Sequence, residues 1–256
     1  MRMLRRTLLT AVAALATTTA ATAGDLKIHF EYDGAVFEPA EIDVNKDAEF
    51  CGKHDLTDES LIVNPKNKGI KNVVVYVYTG RGGSDIDEVE PVNNTHTLAN
   101  ENCRFEPRIV TLQAGDTLKV TNPDPVGHNA NLNFLRNDAA NLMVPASSFK
   151  DVPVPQPEPA PIPVECNIHP WMKAYVLVLE HPYVGISDEN GDLVIKDLPE
   201  GELSFRIWVE AADGALRSVK VNGKTERWSR NKFDYDVKAG ANDMGTVTLT
   251  ADQLGR

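Results

Sequence analysis

Apolar and polar positions alternate along most of the chain in short runs separated by Gly, Pro, Asn and Asp. That is the pattern of half-buried strands joined by tight turns. Leu26–Tyr32 alternates and ends at the turn pair Asp33-Gly34; Val36–Val44 continues the pattern, and Leu61–Val63 is a further short strand. Asn72–Tyr78 is instead a continuous β-branched and aromatic run, long enough for a central strand. Strands are predicted again at 103–112 and 117–122, divided by the turn Gln113–Asp116. Pro123 and Pro125 then force a bend, because proline cannot donate to a ladder. Residues 132–151 are mixed and suit a short helix or an irregular excursion. Val152–Val164 carries proline at every second position and reads as extended. It suits a stiff lead-in to the next strand better than a linker between domains. Ala174–Glu180 is strongly β-prone, so the loop before it lies between two strands. Beyond 182, a hairpin signal at Asn190-Gly191 is followed by a turn at Leu198–Gly201. Strands follow at Leu203–Val209 and near 217–222, 232–237 and 245–249. The expected fold class is all-β.

The first 23 residues depart from this pattern. Arg2, Arg5 and Arg6 precede a short apolar stretch, and Ala21-Thr22-Ala23 forms a small-residue cleavage site before Gly24. This predicts a signal peptide, 1–23, and a periplasmic or secreted protein. The Arg5-Arg6 pair leaves twin-arginine and general export both open. No later run is long and apolar enough to span a bilayer. The formal charge of the whole chain is −11; without the three arginines, 23 Lys+Arg stand against 37 Asp+Glu, or −14. That argues against a nucleic-acid binder, which needs a basic patch. It favours a basic redox partner such as a cytochrome by electrostatic steering, or simply keeps the protein soluble.

The candidate chemistry sits in Cys166-Asn167-Ile168-His169-Pro170-Trp171-Met172, where a thiolate, an imidazole and a thioether fall within seven residues. A second imidazole is supplied by His128, in the loop after the double-proline bend. One Cys, two His and a weakly held Met make the ligand set of a type 1 copper site. Zinc more often closes its site with a fourth strong ligand, and calcium wants clustered oxygens. His96 is a spare ligand candidate; His29 and His181 read as structural, and His54 as a surface loop residue. Met143 reads as a core residue. Asp188, Glu189 and Asp192 lack a full calcium loop and read as a solvated turn. Three cysteines leave one unpaired. Cys51 with Cys103 is the expected disulfide, freeing Cys166 for metal; the competing pairing, Cys103 with Cys166, would abolish the site. No motif marks a catalytic nucleophile, so the chain is not expected to be an enzyme.

Residues 103–180 resemble the cupredoxins. The resemblance rests on Phe105-Glu106-Pro107, Ala114–Asn122, the His128-Asn129 pair and the compact Cys166–Met172 loop, whose spacing is that of the amicyanin-like members. It implies a Greek-key β-sandwich at 24–181 with His128, Cys166, His169 and Met172 as copper ligands. Asn129 would tie the two ligand loops by a hydrogen bond. The long separation of His128 from Cys166 departs from the family, as does the N-terminal extension. The whole chain also looks like exported plastocyanin-like proteins of the methylamine-utilisation type. Residues 182–256, with Asp188-Glu189-Asn190-Gly191 and Leu198-Pro199-Glu200-Gly201, resemble the carboxypeptidase regulatory-like fold, a smaller β-sandwich. The leading expectation is an exported single-electron carrier with one copper ion. The alternatives are a copper-binding or delivery protein without electron cycling, and a structural or carbohydrate-binding β-sandwich with no metal.

Overall fold

The computed structural model describes residues 23–256. The first part of the chain contributes β1 (Ala23–Asp33), a single helical turn α1 (Ala48–Cys51), the small hairpin β2 (Ile62–Val63) and β3 (Ile70–Lys71), and β4 (Val74–Val77). Nine strands follow: β5 (Thr95–Glu101), β6 (Arg104–Glu106), β7 (Ile109–Gln113), β8 (Thr117–Asn122), β9 (His128–Leu132), β10 (Ala140–Val144), β11 (Ser148–Pro153), β12 (Ile162–Glu165) and β13 (Lys173–Leu179). The last part holds β14 (Val184–Ile186), β15 (Asp192–Pro199), β16 (Gly201–Trp208), β17 (Ser218–Val221), β18 (Lys224–Arg227), β19 (Lys232–Val237) and β20 (Gly240–Thr250).

These strands form two sandwiches, one nested in the sequence of the other. The inner sandwich faces the sheet β10-β9-β12-β13-β7 against β11-β8-β5-β6. The enclosing one faces β15-β1-β20-β17-β18 against β14-β4-β16-β19. The pairing therefore divides the chain differently from the expected 24–181 and 182–256. β1 runs parallel to β20 and antiparallel to β15, and β4 is hydrogen-bonded between β14 and β16. The N-terminal strands complete the sheets of the C-terminal part. Local alternation could not reveal this, because a strand pattern does not name its partner.

The two longest unalternating apolar runs explain how the sandwiches meet. In β4 and the residue before it, Val73, Val75 and Val77 enter the enclosing core, while Val74 and Tyr76 face the other way. In β13, Ala174, Val176 and Val178 enter the inner core, while Leu177 and Leu179 join Val74, Tyr76 and Ile109 in a third buried cluster. Each strand is covered on both faces, which is why neither alternates. Arg108 adds a two-pronged ion pair to Glu210, at 2.7 and 2.8 Å, between the two units. β13 is thus held in place immediately after the Cys166–Met172 loop.

Other departures are local. Val36–Val44 forms no strand; a single bridge, Glu41 to Thr57, is its only ladder contact. Residues 132–151 hold β10 and most of β11 rather than a helix, and Met143, expected in the core, is 56% exposed on an edge strand. The proline run crosses from the β11 sheet to the β12 sheet. There buried Glu158 accepts the backbone N–H groups of Leu135, Arg136 and Asn137 at 3.0–3.1 Å. Pro163 lies where β12 pairs with β13 alone, β9 joining only from Val164. The signal peptide expected at 1–23 lies outside the described residues except for Ala23, which opens β1. Among the described residues no helix is long and apolar enough to cross a membrane.

His29 hydrogen-bonds Asp192 at 3.1 Å, and His96 hydrogen-bonds buried Asp116 at 3.0 Å, so both serve the fold. His181 is buried at the junction, donating from Nε2 to the Val77 carbonyl at 3.0 Å and accepting at Nδ1 from the Tyr183 N–H at 3.2 Å. Both nitrogens are used by the neutral ring. Burial pushes its pKa down to about 4 from an ordinary value of 6.5, against the pull of the Val77 carbonyl. The unfolded chain therefore binds a proton that the folded chain refuses between these values. Stability should fall as pH drops through that window, by about 3 kcal/mol in all. Urea midpoints measured at pH 7 and pH 4.5 should show a shallower loss in His181→Gln than in the native protein; parallel losses would contradict the assignment.

Candidate metal centre

Loop 166–172 joins β12 to β13 and folds back on itself. The Met172 N–H donates to the His169 carbonyl at 2.9 Å, and the Cys166 N–H donates to the Met172 carbonyl at 3.2 Å. His128 opens β9, just after the bend at Pro123 and Pro125. That bend is held by buried Asn122, whose side-chain amide donates to the Val126 and Val144 carbonyls at 2.8 Å each. Asn129 ties the two loops together: its Oδ1 accepts the N–H groups of Asn167 at 2.8 Å and Ile168 at 3.3 Å.

The result is a buried convergence of His128, Cys166 and His169. One ligand atom from each lies within 4.8 Å of the other two. The Nδ1 atoms of the two imidazoles are 3.0 Å apart, and Cys166 Sγ is 3.8 Å from His169 Nδ1. Both imidazoles are fully buried, and Met172 is 1% exposed in the same apolar cluster as Cys166. Trp171 packs its ring 5.2 Å from His169 and donates Nε1–H to the Cys103 carbonyl at 3.0 Å.

Two carboxylates that pattern reading did not single out complete the arrangement. His128 Nε2 is 2.9 Å from Asp124 Oδ2, and His169 Nε2 is 2.9 Å from Asp47 Oδ2. A carboxylate only accepts hydrogen bonds, so each Nε2 donates to its aspartate and each ring turns its Nδ1 inward. Asp124 also accepts the N–H groups of Asn102 and Cys103, at 2.8 and 2.9 Å. Asp47 stands at the start of α1, which ends in Cys51, and Cys51 is bonded to Cys103. Cys103 therefore touches both sides of the centre: its N–H meets the partner of His128, and its disulfide anchors the turn that carries the partner of His169. Asp124 lies four residues before His128 and was within reach of local reading. Asp47 is 122 residues from His169 and left no local signal.

Cys166 Sγ lies in an environment made for a thiolate. Burial alone pushes the thiol up, but hydrogen bonds from His128, His169 and the N–H groups of Asn129 and His169 outweigh it and hold the pKa at about 6. Burial pushes His169 down, and the thiolate and Asp47 more than reverse that, leaving it raised. In the metal-free protein the two Nδ1 atoms and the sulfur sit this close by sharing protons; a metal ion bound there would take the place of those protons. The donor set, two imidazoles and a sulfur, fits copper or zinc and not a hard oxygen-seeking ion.

No family model matches the chain, and no curated protein matches it. Among solved structures, it is similar to a copper-containing nitrite reductase from Thermus scotoductus SA-01 at 20% identity, over 41% of this chain and 25% of that one, with a TM-score of 0.31. It thus spans a quarter of that enzyme's length. It is also similar to a copper(I) form of an amicyanin variant at 18% identity, over 32% of this chain and 79% of that one, with a TM-score of 0.29. A purple cupredoxin from Nitrosopumilus maritimus aligns at 19% identity, over 33% of this chain and 98% of that one, with a TM-score of 0.28. The chain is an all-β protein with a buried Cys-His-His cluster; its structural neighbours include cupredoxins.

In the metal-free protein, the ultraviolet absorbance of the Cys166 thiolate should grow in as pH rises through about 6. It should be absent from Cys166→Ser. A titration above pH 8, the range of a free thiol, would contradict the hydrogen bonding described.

Proposed function

We propose that this protein is an exported type 1 copper protein that carries single electrons between redox proteins. The observation that carries the reading is the inward pair of Nδ1 atoms, 3.0 Å apart, beside the Cys166 sulfur. His128, Cys166 and His169 would hold the ion, with Met172 as a weak axial ligand, and Asn129 would hold the two ligand loops in register. Copper bound there supplies a one-electron couple.

The rest of the work falls to the chain. The sulfur accepts N–H groups from Asn129 at 3.5 Å and His169 at 3.4 Å, which draw charge from the thiolate. Asp124 and Asp47 lock both rings, so their inner nitrogens keep the same positions whatever the charge between them. Burial excludes water from the cluster. The same burial disfavours the delivery reading, since a protein that hands metal on needs ligands a partner can reach; here His128 and His169 are fully covered. The N-terminal segment supports the site by bringing Asp47 over His169. We read the enclosing sandwich, whose strands from 182–256 carry the resemblance to the carboxypeptidase regulatory-like fold, as the scaffold for that contact. The disulfide accords with an oxidising compartment.

Titrating the metal-free protein with Cu(II) should give an intense blue thiolate band and a small copper hyperfine splitting. Cys166→Ser should lose the band. Met172→Leu should keep it and shift the potential. An ordinary pale Cu(II) spectrum from the native chain would end the electron-carrier reading. Asp47→Ala should keep the blue colour but release copper to a competing chelator about 10–100-fold more readily. An unchanged affinity would show that the Asp47 contact does not orient His169.

A further inference from the structure

The chain is acidic overall, yet residues 217–232 carry six Lys and Arg against one acid, Glu226. This segment is the β17–β18 hairpin and the turn after it, with β18 at the free edge of its sheet. An open cleft of about 730 Å³ is lined there by Arg217, Arg227, Arg230, Ser218, Thr225, Ser229 and Trp228. The three arginines are exposed, and none has an ion-pair partner among the described residues. Arg227 stands directly across the ladder from Ser218, and the Trp228 N–H to the Arg217 carbonyl, 2.9 Å, fixes the third arginine beside them. Glu226, opposite Val219, alternates to the face of β18 away from Arg227.

Two further features point to a ligand rather than a merely solvated surface. Arg230 and Asn231 are consecutive non-glycine residues in the left-handed region, with φ of 53° and 68°. Such a turn is costly, and it holds Arg230 at the cleft. The indole N–H of Trp228, 5% exposed on the cleft wall, has no acceptor among the described residues.

We propose that this cleft binds an acidic polysaccharide through its sulfate or carboxylate groups. Guanidinium forks match such oxyanions in a planar two-bond geometry, and the three hydroxyls suit the sugar between them. A membrane surface or a protein interface would call for apolar side chains at the patch. The large exposed hydrophobics, Val36, Val92, Leu135, Met143, Phe149 and Val194, all lie outside 217–232. The proposal does not rest on the copper reading.

The test is a binding titration of the full chain against a heparin oligosaccharide, an alginate oligosaccharide and phosphatidylglycerol vesicles. It is run at two salt concentrations, for the native protein and for the triple variant Arg217→Gln, Arg227→Gln, Arg230→Gln. These side chains are exposed, and an unchanged thermal midpoint checks that the variant is folded. At least one glycan should bind the native chain, with at least a tenfold loss in the variant. The slope of log affinity against log salt should fall by about 2. Failure of both glycans to bind, equal binding by the variant, or binding to vesicles alone would each overturn the proposal.

Discussion

A carboxylate can accept a hydrogen bond but cannot donate one, and around this centre that rule orients everything else. Asp124 and Asp47 each claim the outer nitrogen of an imidazole, so the inner nitrogens of His128 and His169 are turned toward one point. The Cys166 sulfur joins them, already drawn toward thiolate by the N–H groups around it. Three electron-rich atoms are thereby collected in a space without water.

That packing reaches well beyond the inner sandwich. Asp47 comes from the N-terminal segment, and its turn is fastened by the Cys51–Cys103 disulfide. Cys103 in turn donates its N–H to Asp124 and accepts from the Trp171 ring, which packs on His169. One residue thus connects the supports of both imidazoles. The enclosing sandwich holds the far side, since β13 is covered by Val74 and Tyr76 where it leaves the ligand loop. Loop 166–172 is pinned by neighbours from three separate parts of the chain, and its side chains are preorganised for that reason.

The charge of the molecule is unevenly spread in a way that follows the same division. The metal centre belongs to an acidic chain, while the basic residues of 217–232 gather on the free edge of the enclosing sandwich. A net charge describes long-range steering; it says nothing of a local patch set by strand pairing.

Sequence by itself determined the all-β class, most strand positions, the free cysteine and the spacing of the Cys-His-Met loop. These features are local: alternation, turn pairs and prolines act over a few residues. The tie made by Asn129 was legible only through the cupredoxin resemblance. Tertiary structure decided what depends on partners far apart in the chain. It joined β1 and β4 to the C-terminal strands, turned the continuous runs at 73–77 and 174–179 into two-faced strands, and placed two edge strands, 140–144 and 148–153, where the mixed pattern of 132–151 left a short helix or an irregular excursion open. It also set Asp47 against His169 across 122 residues. A strand pattern records which face is buried but not against what, and a solvent-compatible aspartate looks the same in sequence whether or not a histidine waits for it.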